Sequence, residues 1–135
     1  MKAIALSAAI AVGLTASTIS ALPALAQEFS MKGTWTGHRE RISATEGYRN
    51  GTATLIVTEE QGMTFKGEMH WSTSEGDMHD PLVGAFTPGG KLIAGADEEG
   101  TYVFNLIDAY TLDYCYSETR SKGYRTTCAR LTRQP

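Results

Sequence analysis

The sequence predicts an all-β protein: a single eight-stranded antiparallel up-and-down barrel with one disulfide, following an N-terminal leader. Three observations carry this expectation. After the leader no stretch sustains the roughly 3.6-residue period of a helix, and short runs of β-branched and aromatic residues alternate with turns that often end in glycine. Such consecutive hairpins form a meander, and an eight-strand meander with one apolar face removes its exposed edges by closing. In the C-terminal stretch Tyr110–Arg133, a register that sets Thr119 opposite Tyr124 also sets Cys115 opposite Cys128, Leu112 opposite Leu131, Tyr114 opposite Ala129 and Asp113 opposite Arg130. One hairpin thus satisfies a disulfide, two same-face pairs and a cross-strand charge pair. A two-sheet sandwich is the alternative, and the short sequential turns disfavour it.

Met1–Ala26 reads as a secretory signal peptide. Lys2 supplies the positive start, Ile4–Leu22 is apolar and alanine-rich, and Ala24-Leu25-Ala26 fits the small-x-small cleavage pattern. Polar interruptions at Ser7, Thr15 and Ser20 and the terminating Pro23 argue against a membrane anchor, so no membrane span is expected after cleavage. Gln27–Pro135 is then one domain, periplasmic or secreted from a bacterium, where two cysteines are best read as one bridge. The formal net charge of the chain is −3, and this mixed, mildly acidic balance argues against a nucleic-acid or anionic-membrane partner.

The expected strands are Met31–Ile42, Thr52–Glu59, Met63–Thr73, Leu82–Thr87, Lys91–Asp97, Thr101–Ile107, Thr111–Thr119 and Tyr124–Arg133. Glu60-Gln61-Gly62, Pro88-Gly89-Gly90 and Glu98-Glu99-Gly100 read as three-residue loops, each closing on a glycine. Those loops set Val57 against Phe65, Leu55 against Gly67 and Ala53 against Met69. They also set Phe86 against Leu92, Gly84 against Ala94, and Ala96 against Tyr102. The expected inward set adds Trp35, Trp71, Leu82, Phe104, Leu106, Leu112, Tyr114, Ala129 and Leu131 to the apolar members of these pairs. Arg120–Gly123 reads as a four-residue loop.

Closure brings Gly33-Thr34-Trp35, at the head of the first strand, next to Arg133, near the end of the last. A G-x-W opening with a basic residue from the final strand over its indole resembles the signature of the calycin superfamily: lipocalins, fatty-acid-binding proteins, avidins and certain bacterial protease inhibitors. The resemblance implies a barrel floor closed by a cation over an aromatic face, with structural roles for Gly33, Trp35 and Arg133. The chain's short length and lack of a C-terminal helix place it nearer the avidin-like and inhibitor branches than the lipocalin-like one. The polar biotin-binding residues of the avidins do not map onto Thr36, His38 or Ser43. The chain is also similar to a group of small exported bacterial proteins that share the G-T-W-x-G opening, a D-x-x-G turn and a C-Y…C-x-R-L-T-R ending. No activity is assigned to that group.

Arg39 and Arg41 share inward parity with Trp35 and suit an anionic head group at the barrel mouth. The favoured alternative is a bulge at Gly37, which flips the parity and turns both arginines to solvent, since a buried unpaired arginine is costly. Trp71, Tyr102 and Tyr114 line the same end, whether as a ligand cup or simply as core, and the small residues facing the aromatics tilt towards a filled barrel. His70, Glu75, Asp77, His79 and Asp80 crowd one segment in a spacing that matches no established metal motif, so no metal is expected. His38 and His70 have outward parity, and nothing lines up as a nucleophile, base and orienting acid, so no catalytic residue and no cofactor are expected. The functional expectation is a non-catalytic barrel binding a small apolar or amphiphilic ligand at its open end through Arg39, Trp71, Tyr102 and Tyr114. The second expectation is a protein-binding barrel, such as a hydrolase inhibitor.

Overall fold

The computed structural model describes residues 29–120 and 123–135; the expected leader Met1–Ala26 lies outside them. Eight strands follow one another: β1 (Gly33–Ser43), β2 (Gly47–Gln61), β3 (Thr64–Thr73), β4 (Gly76–Phe86), β5 (Leu92–Ala96), β6 (Gly100–Asp108), β7 (Thr111–Arg120) and β8 (Gly123–Arg133). Each pairs antiparallel with the next and β8 pairs with β1, so the sheet is a closed barrel. None of the described residues forms a helix long and apolar enough to cross a membrane.

The β7–β8 register is the expected one, from Leu112 opposite Leu131 to Thr119 opposite Tyr124. Cys115 and Cys128 are bridged, with Cα atoms 4.1 Å apart, and Arg130 grips Asp113 with two hydrogen bonds of 2.7 and 2.8 Å. The expected four-residue loop is shorter, because Arg120 and Gly123 themselves pair; residues 121–122 lie outside the described residues.

Other expectations change. The β2–β3 turn is two residues, Gly62 and Met63, and a bulge between Val57 and Glu59 restores parity. Val57 therefore faces Gly67 and Leu55 faces Met69, two positions along from the expected partners but on the same faces. β5 is flipped. Pro88–Lys91 forms a four-residue loop closed by a hydrogen bond from the Thr87 amide to the Leu92 carbonyl, so Phe86 faces Ile93 and Gly84 faces Gly95. Ile93 is then buried, while Leu92 and Ala94 face solvent and Ala96 is turned outward too. The next turn is also one residue off, Glu98-Glu99 capped by Asp97, which sets Gly95 against Tyr102 and returns β6 to its expected parity. Finally, β4 begins at Gly76 rather than Leu82, so the segment rich in histidine and acid is the β3–β4 hairpin, with His70 opposite His79.

The lower half of the interior is apolar and filled. Trp35, Leu55, Phe104, Leu112 and Leu131 are wholly buried, and the Phe65 ring occupies the place a side chain at Gly84 would need, 2.3 Å from an added Cβ. The floor closes as the G-x-W resemblance implied: the Arg133 guanidinium lies 5.0 Å from the Trp35 ring centre and donates to the carbonyls of Ser30 (3.0 Å) and Lys32. The Trp35 indole N–H donates to the Met31 carbonyl at 2.9 Å, and Phe29 caps Trp35 and Phe86.

Gly37 is a point of close strand approach rather than a bulge. A Cβ there would lie 1.8 Å from the Arg130 carbonyl oxygen of β8, which is backbone and cannot swing aside. Gly37→Ala is expected to lower the unfolding free energy by at least about 3 kcal/mol. Gly89→Ala, where a Cβ meets nothing within 4 Å, is expected to be neutral or stabilising by up to about 1 kcal/mol. Urea denaturation of the pair checks this. Reducing the Cys115–Cys128 bridge, which spans 13 residues of sequence, is expected to cost about 3 kcal/mol in the same assay while the barrel stays folded.

Candidate functional site

The barrel's other end is built differently. Because Gly37 makes no bulge, the inward parity of β1 runs unbroken from Trp35 through Arg39 and Arg41 to Ser43. This overturns the favoured reading that both arginines turn to solvent. Arg39 is only 8% exposed, and Gly51 opposite it leaves room for its side chain. Around it the last inward residues of the other strands close a cavity of about 40 Å³, walled by Arg39, Arg41, Trp71, Asp80, Asp97, Tyr102, Tyr114, Tyr116, Glu118 and Arg125, with Met69 and Thr127. The structure thus brings Arg39, Trp71, Tyr102 and Tyr114 together in one place. Tyr116, Glu118, Arg125 and Thr127 were missed, although continuing the alternation of β7 past Tyr114 and of β8 back from Ala129 points to all four.

One wall is acidic, and two of its carboxylates, Asp97 and Glu118, are held within it. Asp97 accepts the Tyr102 hydroxyl at 3.1 Å, the Tyr116 hydroxyl at 2.9 Å, and the amides of Glu99 and Gly100. The buried Glu118 accepts from Tyr116 at 3.1 Å and is ion-paired with Arg125. Burial pushes the Tyr102 and Tyr116 hydroxyls well above the ordinary tyrosine value, and Asp97 beside them adds to it. Tyr114, 4% exposed, is pushed up to about 12 by burial against the opposing pull of Arg39. Asp80, half-buried on β4, makes no hydrogen bond or ion pair with a described residue.

The basic wall is not satisfied. Arg39 spends one amino group on the Ser72 carbonyl at 2.9 Å, and Arg41 spends one on Glu46 at 2.5 Å. The Nε–H of each is buried without an acceptor. Burial lowers the Arg39 pKa, Tyr114 partly offsets this, and Arg41 and Arg125 lower it further; a guanidinium nevertheless stays charged at neutral pH. Buried donors are normally paired, and leaving one unpaired costs about 1–3 kcal/mol, more for a charged group. On the rim side the same two arginines border a second cleft, of about 400 Å³, shared with Arg49, Asn50, Ser72, Thr73 and Ser74.

The histidines stand apart from this end's interior. His70 stacks on His79 on the outer wall, ring centres 5.0 Å apart, with its Nε2 3.0 Å from Glu68. No group of three or more His, Cys, Asp or Glu side chains among the described residues is arranged to hold a metal ion.

No protein-family model and no curated protein matches the sequence. Solved structures do match in fold. A protein of unknown function from the DUF3598 family of Nostoc punctiforme is 12% identical with a TM-score of 0.57, over 77% of this chain and 47% of its own, so this chain spans about half its length. The barrel EF1p2_mFAP2b, solved bound to DFHBI, is 10% identical with a TM-score of 0.58 over 76% and 93% of the two chains. The S-type phycobiliprotein lyase CPES from Guillardia theta is 8% identical with a TM-score of 0.55 over 78% and 89%. At such identities the likeness shows the fold alone: this chain is an eight-stranded antiparallel β-barrel.

Proposed function

We propose that the protein is a non-catalytic binding barrel that takes a small amphiphilic ligand at the end of the barrel away from Trp35, with an acidic head group against Arg39 and Arg41. The carrying observation is that two guanidinium groups each leave a buried Nε–H without an acceptor beside an opening. A carboxylate or similar oxyanion supplies what those donors lack, in a charge-assisted bond. Size decides where the ligand lies. A drug-sized ligand needs roughly 300–1,000 Å³, so the inner cavity of about 40 Å³ admits only a head group or a few waters, whereas the rim cleft of about 400 Å³ accepts more. Trp71 and Tyr114 offer aromatic surface beside the inner cavity. Between the apolar and amphiphilic ligands expected from sequence, the charged lining favours the amphiphilic one. Solved barrels of this shape include one bound to DFHBI and a phycobiliprotein lyase, which supports a small-ligand role, and a disulfide fits an oxidising compartment such as the periplasm or the outside of the cell.

Octanoate and octyl phosphate, compared with octanol, test the reading by calorimetric titration. At least one of the two anions is expected to bind tenfold or more tightly than octanol. Arg39→Met is expected to remove that preference while leaving unfolding stability unchanged or higher, because it deletes a buried unpaired charge. If neither anion outperforms octanol, the reading is wrong, and a protein partner becomes the better account.

A further inference from the structure

Resting on the anionic-ligand reading, we infer that the rim cleft between β1, β2 and β3 is a site for a doubly charged, tetrahedral oxyanion, a phosphate group, rather than for a carboxylate. Three features of the cleft converge on this.

The first is charge. Arg39, Arg41 and Arg49 all border the cleft, and no carboxylate lines it. Glu46 engages Arg41 from the β1–β2 turn, so three positive charges meet one negative charge, and two remain unmatched. A carboxylate neutralises one of them and a phosphate monoester near neutral pH neutralises about two. Asp80, Asp97 and Glu118 lie against the inner cavity instead, where Asp97 and Glu118 are already engaged and Asp80 would repel an anion.

The second is register. Arg41 on β1 lies directly opposite Arg49 on β2. Directly opposed residues on one face bring their Cβ atoms to within about 5.5 Å, and like charges there are destabilising. Arg49 makes no ion pair with a described residue. A bridging dianion turns this repulsive pair into a clamp.

The third is donor geometry. Arg39 and Arg41 each hold a buried Nε–H in reserve. The Ser72 hydroxyl, which accepts from the Thr52 amide at 3.1 Å, keeps its own proton to donate. Donors from three strands thus surround one cleft. A carboxylate has two oxygens and is served by one guanidinium fork, whereas a phosphate monoester offers three terminal oxygens to several.

The test is titration of the purified protein with octyl phosphate, inorganic phosphate, octanoate and octanol at fixed ionic strength, repeated on Arg49→Ala. Octyl phosphate is expected to bind at least tenfold more tightly than octanoate. Arg49→Ala is expected to collapse that ratio towards one, because octyl phosphate loses more affinity than octanoate does. Arg49 is exposed, so the variant folds, and in phosphate-free buffer its melting temperature is expected to match or exceed that of the parent because the Arg41–Arg49 repulsion is gone. Inorganic phosphate binding as tightly as octyl phosphate assigns the site to free phosphate; a clear preference for octyl phosphate assigns it to a phosphate-bearing amphiphile. Either supports the site. Octanoate binding as well as octyl phosphate, or a ratio that survives Arg49→Ala, overturns the phosphate assignment and leaves the acidic-ligand reading standing. Failure of both anions to outperform octanol overturns that reading itself.

Discussion

The straightness of β1 is the constraint on which both ends of the barrel depend. At Gly37 the β8 backbone comes so close that the Arg130 carbonyl lies where a side chain would begin. The register of β1 with β8 is the same on both sides of this point, from Trp35 opposite Arg133 before it to Ser43 opposite Arg125 after it. An extra residue looped out here would have flipped everything after it. Instead one unbroken alternation sends Trp35 to the floor and, two and three steps later, Arg39 and Arg41 to the inner face of the mouth. The same strand therefore supplies the buried indole that closes one end and the buried charge that distinguishes the other.

That arrangement has a cost, and its distribution is informative. A buried guanidinium with an idle donor is destabilising, and hydrophobic replacement of buried charges is often neutral or better for stability. On the acidic wall the fold has met this cost at two of three carboxylates: Asp97 collects four hydrogen bonds and Glu118 has Arg125 and Tyr116, while the half-buried Asp80 has no partner among the described residues. On the basic wall it has not, since Arg39 and Arg41 keep unpaired Nε–H groups and Arg41 faces Arg49 across the ladder. Charges used only to hold the barrel together would be expected to look alike on the two walls. Unequal satisfaction, with the surplus donors beside an opening, is what supports the proposed anion site.

Much of this was legible in the sequence because the side-chain period of a strand is two. The two cysteines fixed the β7–β8 register without help from turn chemistry, since one alignment had to satisfy four pairs at once. Parity also sets Trp71, Tyr102 and Tyr114 on the inner face, and Arg39 with them only if no bulge intervenes at Gly37. β5 was misread because Leu92-Ile93-Ala94-Gly95-Ala96 is apolar on both faces, so burial could not choose between registers and a wrong turn length decided it. The next turn was wrong by one residue in the compensating direction, which is why β6 kept its proper face. Between β2 and β3 the bulge at Thr58 was invisible for the same kind of reason: it preserves the faces and moves only the partners. Tyr116, Glu118 and Arg125 escaped notice because inward positions were recognised by being apolar, and near the mouth that rule fails.

The failure of that rule bears on what the fold alone can say about ligands. Barrels of this shape recur at 8–12% identity, so what such chains share is an alternation pattern and a closure, not a binding surface. In this chain the alternation changes character halfway up, from Trp35, Phe65, Phe104 and Leu131 below to arginine, tyrosine and carboxylate above. The lower half of the interior is occupied by those apolar side chains. On the proposed reading the floor can be packed without limiting recognition, because the ligand is taken at the rim, where β1, β2 and β3 carry three arginines against one glutamate. A ligand chosen there is selected by charge and oxygen geometry rather than by apolar volume, which is the reverse of what the shape of a barrel by itself implies.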